Sequence, residues 1–137
     1  MRILNQILLY LGSILTALWG ITHLFPTKSI AKGFGDISLD NRRIIIMEWI
    51  IEGVSLIFIG VVVATVTYLD RTNTVSRAIY WLSFIMLNVL SMISLFTGFK
   101  VAFLPFKLCP IIFTGSSIML LIGGCIWWLT SRTIKTK

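Results

Sequence analysis

Four long apolar runs divide the chain, at residues 4–25, 44–69, 78–99 and 108–130, with short polar segments between them. A helix needs about 20 mainly apolar residues to cross the hydrocarbon of a bilayer, and each run is long enough. The runs are continuous, whereas strands of a membrane barrel alternate apolar and polar positions over about 10 residues, so the pattern predicts helices. The first run is too long for the apolar region of a signal peptide and lacks an A-x-A cleavage pattern, so it is read as a span as well. Together the runs use most of the 137 residues. They predict one all-α domain, an integral membrane four-helix bundle.

Each run also has one face that is smaller or more polar than the rest. In the first, Asn5, Gly12, Thr16 and His23 recur at helical spacing, with Gly20 beside them. In the second, Glu48, Glu52 and Ser55 form a stripe, and Gly53 and Gly60 lie on an adjacent face. Asn88, Ser91 and Trp81 share a stripe of the third, and Pro110, Thr114, Ser117 and Gly124 a face of the fourth. Small residues let helices approach closely in lipid, where apolar contact alone gives little drive, so these faces are expected to turn inward.

The longest connection, residues 26–41, predicts a short interfacial helix from Lys28 to about Phe34, capped by Thr27 and ended by Gly33 and Gly35. Its Ile30, Ala31 and Phe34 are expected to face lipid, and Asp40 to cap the second span. Trp81, Trp127 and Trp128 are read as marking one membrane interface and Trp19 and Trp49 the other.

Composition agrees with the pattern: the chain is 57% hydrophobic and 12% charged, against about 25% charged in soluble domains. The net charge of +7 does not indicate nucleic-acid binding, because the basic residues cluster at the span ends, where they meet lipid headgroups. Arg2, Arg71, Arg77, Arg132, Lys135 and Lys137 fall on one side, and Lys28, Lys32, Arg42, Arg43, Lys100 and Lys107 on the other, a division of six to six that leaves orientation open. An even number of spans puts both termini on the same side, and the unopposed C-terminal basic cluster favours the cytoplasmic one. Cys109 and Cys125, separated by about 24 Å of helix, are too far apart to pair. The absence of C-x-x-C argues against thiol-oxidase chemistry, and a single histidine with two distant cysteines argues against a metal site.

The candidate chemistry lies in the second run. Glu48 and Glu52 are two of only five acidic residues, and their spacing of four puts them on one helix face. A charge near the bilayer centre costs roughly 2.5–3.5 kcal/mol on insertion scales, so a carboxyl held there calls for a reason. Antiparallel topology brings His23, Glu48, Lys100 and Cys109 to similar depth, with Glu52 about one turn deeper and Asn88 facing it from the third span. A shared proton, or contact with His23 or Lys100, would relieve the pair. The candidate ligand or proton site is therefore Glu52, Glu48, His23 and Asn88, with Glu52 foremost. Each has a structural alternative: Glu48 solvated or paired with Arg42, Arg43 or His23, Glu52 hydrogen-bonded to Asn88 or Ser91, His23 a structural or interfacial histidine, and Asn88 serving as interhelical glue.

The segments Trp19-Gly20-Ile21-Thr22-His23-Leu24-Phe25-Pro26 and Glu48-Trp49-Ile50-Ile51-Glu52-Gly53 are similar to those of the DoxX-like small bacterial membrane proteins, which have a glycine late in the first helix and an E-x-x-x-G-like opening of the second. The resemblance covers the first half of the chain. It implies a four-helix bundle and an accessory role in membrane redox or stress systems.

Three function classes are compatible with the pattern. The first is a small binding protein or accessory subunit holding an apolar ligand, such as a lipid or quinone, with membrane lipids, a membrane protein or a second copy as partner. The second is a proton- or cation-coupled small transporter. The third, an enzyme acting on a membrane lipid, is favoured less. No cofactor is identified by any motif.

Overall fold

The computed structural model describes residues 2–99 and 104–126. Lys100, Trp127, Trp128, the basic residues after them and the end of the fourth predicted span lie outside the described residues, as does the side chain of Cys125. Five helices follow in order: α1 (Arg2–Leu24), α2 (Thr27–Gly33), α3 (Leu39–Asp70), α4 (Thr74–Ile93) and α5 (Leu104–Leu120). The last turns of α4 and α5 widen into π-helix, at Ser94–Gly98 and Leu121–Ile126. Four helices are long and apolar enough to cross a membrane, and α2 is the short helix of the first connection. The chain is an all-α membrane bundle.

The helix starts come from local chemistry rather than from the apolar runs. Ser38 caps α3 by accepting a hydrogen bond from the Asn41 N–H, so the cap is Ser38 and not Asp40, which sits in the first turn. The 32 residues of α3 extend about 48 Å, longer than a hydrocarbon core of about 30 Å, so its ends project into the headgroups. Asn73 caps α4 through the Val75 N–H. Thr27 is not a cap: it is the first residue of α2, and its hydroxyl donates to the Leu24 carbonyl at 2.6 Å. Pro110 lies inside α5 rather than in its first turn. Its carbonyl accepts a 3.0 Å hydrogen bond from Ser91, which in turn accepts from Thr114 at 2.8 Å, because the single Ser91 proton is already used.

Around the bundle, α1 lies between α3 and α5, and α4 lies against α5. α1 and α3 form the tightest seam, and the reason is glycine. A Cβ at Gly20 would stand 2.6 Å from the Gly53 carbonyl oxygen, and one at Gly60 would stand 2.5 Å from the Ser13 carbonyl oxygen. Backbones meet here because no side chain intervenes. Of the predicted inward face of α1, Gly12, Thr16, Gly20 and His23 are buried and Asn5 is half-buried, and Ser13 is buried beside them.

On α4 the inward stripe is Ser76, Tyr80, Ser83, Leu87 and Ser91; of the expected stripe Ser91 lies on it, whereas Asn88 is half-buried and Trp81 exposed. Tyr80 fills the middle, donating to Thr67 at 3.0 Å and packing on Gly124. Leu9, Leu56, Val63, Leu87, Phe113 and Leu120 complete the core. α3 and α4 touch only sparingly, and between them the bundle is open.

Candidate functional site

The gap between α3 and α4 widens into a cavity of about 460 Å³ at the end where α1 and α4 finish and α3 and α5 begin. Its walls are apolar, with Ile44, Ile45 and Ile51 from α3 and Met86, Leu90 and Ile93 from α4. Ile30 and Phe34 of α2 close one end. Ile30 and Ala31 are buried against the bundle rather than turned to lipid as expected, because the cavity and α3 offer apolar surface nearer than the membrane. The π turn at Ser94–Gly98 shifts the register of α4 and presents Ser94, Thr97 and Gly98 to the same space. Such widened turns recur at functional sites.

Besides Ser94 and Thr97, the polar part of the lining is His23, Glu48, Glu52 and Ser55, and Cys109 also lines the cavity. His23 Nε2 lies 3.3 Å from Glu52 Oε2. The approach is not along an N–H direction, and neither ring nitrogen has a hydrogen-bond partner among the described residues. The His23 side chain is 1% exposed and that of Glu52 29%, so the glutamate is half-buried rather than buried. Glu48 is exposed at the mouth and makes no hydrogen bond or ion pair with the described residues. The expected partners of Glu48 are engaged elsewhere: Arg43 with Asp40 at 3.8 Å, and Arg42 with the Gly35 carbonyl at 3.5 Å.

Trp49 fixes this arrangement. Its ring stacks on His23 with centroids 3.7 Å apart and an interplanar angle of 17°. Its indole N–H donates to the His23 carbonyl at 2.8 Å, which spans the α1–α3 seam. Phe106 of α5 meets Trp49 edge-on at 5.3 Å. Trp49 is 5% exposed, and Trp19 packs partly buried against the core. Trp49 is thus in the core rather than exposed as expected of a belt residue, whereas Trp81 is exposed near the start of α4. The spacing Trp49, Gly53, Leu56, Gly60, Val63 follows a single helix face, and all five are buried. That periodicity was the signal available for Trp49.

Of the four predicted site residues, three converge: His23, Glu48 and Glu52 line one cavity. Asn88 does not join them. Its amide donates to the Phe84 carbonyl of its own helix at 2.8 Å, and it is absent from the cavity lining. Chemically, the site combines apolar walls with two carboxylates and a buried imidazole. There a ring nitrogen and a carboxylate can share a proton or grip a polar head. No known protein family, curated protein or solved structure matches the chain.

Proposed function

We propose that this chain is a small membrane binding protein that holds an amphipathic, membrane-soluble molecule in the α3–α4 cleft. The observation that carries this reading is the cavity itself: about 460 Å³ with a mostly apolar lining that also includes His23, Glu48 and Glu52. Small-molecule sites fall in the range of about 300–1,000 Å³ and combine apolar walls with a few convergent polar groups. The exposed apolar side chains flanking the cleft, Ile51, Met86 and Ile93, provide a path from the membrane without passage through water. The tail lies along α3 and α4, and the head meets Glu52 and His23. A lipid or a quinone has this general form. In this reading the protein is an accessory or binding subunit rather than an enzyme, and both termini lie on the cytoplasmic side. The resemblance of the first half to the DoxX-like proteins implies an accessory role of this kind.

Native mass spectrometry of protein released from lipid nanodiscs tests this. Wild-type protein is expected to carry one lipid-sized adduct per chain, and Leu90→Trp, which fills the cleft from α4, is expected to lose it. Equal adducts on a folded Leu90→Trp variant would contradict the reading.

A further inference from the structure

The cleft has a charge that the rest of the chain opposes. The protein carries twelve Lys and Arg against five Asp and Glu, yet the described cavity lining holds two glutamates and no Lys or Arg. Glu48 and Glu52, one helical turn apart, place their Cβ atoms about 5–6 Å from each other, close enough for one small head to meet both carboxylates. Glu48 has no described partner, and the His23 contact leaves Glu52 half-exposed to the cleft. Behind them, His23 is buried with both ring nitrogens lacking a hydrogen-bond partner among the described residues. A buried polar group in that condition is destabilising, and a ligand that supplies its partner removes that penalty. A neutral imidazole has one acceptor nitrogen and one N–H donor, whereas carboxylates only accept. The two carboxylates and the acceptor nitrogen of His23 therefore favour a donor-rich, positively charged head.

We propose that the cleft selects lipophilic amines: an alkyl chain along Leu90, Ile93 and Ile44, and a protonated amine seated between Glu48 and Glu52 with an N–H directed at His23. This rests on the cleft being a ligand site, as proposed above, and adds the chemical class of the head. An anionic head, such as a fatty acid carboxylate, meets two like charges and is excluded. A neutral alcohol of the same length keeps the tail contacts and loses the charged hydrogen bonds. A quaternary ammonium keeps the charge and loses the N–H donors.

The test is a binding series on the full chain in neutral-lipid nanodiscs, read by tryptophan fluorescence and checked by native mass spectrometry. The probes are dodecylamine, dodecyltrimethylammonium, dodecanol and dodecanoate. A charge-assisted hydrogen bond contributes about 1.5–3 kcal/mol, so dodecylamine is expected to bind at least about tenfold more tightly than dodecanol. Dodecyltrimethylammonium should fall between them, and dodecanoate should be weakest. Glu52→Gln and Glu48→Gln, both close in shape, should each reduce the amine preference while leaving dodecanol binding within about twofold. Glu48 is exposed, so its variant serves if Glu52→Gln does not fold. Equal binding of dodecylamine and dodecanol overturns the amine preference and leaves the cleft as a site for neutral ligands. If no probe binds, and Leu90→Trp retains the adduct of wild-type protein, the ligand-site reading fails with it.

Discussion

Trp49 ties together three groups that would otherwise be independent. Its N–H satisfies the His23 carbonyl near the end of α1, its face covers the His23 ring, and its edge meets Phe106. Trp49→Phe removes the donor and part of the ring while keeping an aromatic face, and is expected to cost about 1–3 kcal/mol. Trp49→Ala also removes the stacking ring and leaves a void, and should cost about 3–5 kcal/mol. Thermal unfolding in one detergent ranks the two, and equal stability of both variants with wild type would show that Trp49 is not a tie. At this scale the glutamates and His23 were legible, because a charge inside an apolar run is costly and rare. That His23 meets Glu52 rather than Glu48 was not, since it depends on how α1 is rotated against α3. Asn88 misled because an amide in an apolar helix can satisfy itself on the preceding turn, as it does on Phe84.

Between elements, the α1–α3 seam sets that rotation. Gly20, Gly53 and Gly60 let two backbones touch, and a methyl at Gly20 would meet the Gly53 carbonyl oxygen at 2.6 Å and the Ile57 nitrogen at 2.8 Å. Both neighbours are backbone, so they cannot turn away. Gly20→Ala is expected to force the helices apart at a cost of about 1–3 kcal/mol and to move His23 away from Glu52. Gly33→Ala, where nothing lies within 4 Å, should leave the unfolding midpoint unchanged. Similar midpoints for the two variants would contradict the seam. The glycine contact was readable from spacing. The orientation of α2 was not, because lipid and a neighbouring cleft offer the same apolar solvent to Ile30, and only the three-dimensional arrangement decides between them.

For the whole molecule, the four spans and the membrane class follow from the apolar runs alone, since nothing else accommodates such stretches. Their closure is uneven: α1 is packed on both sides, whereas α3 and α4 leave a gap. Sequence carries little information about a gap, because lipid-facing and cleft-facing residues such as Ile51 and Met86 are chemically alike. Ligand binding by this chain therefore turns on whether that gap is occupied. Photocrosslinking in nanodiscs with an alkyl amine carrying a diazirine near its chain end, with adducts mapped by mass spectrometry, measures this directly. The account predicts adducts concentrated on Leu90, Ile93 and Ile44 and largely removed in Leu90→Trp. Adducts spread over lipid-facing positions such as Ile14, Phe58 and Val61, and unchanged by Leu90→Trp, would contradict it.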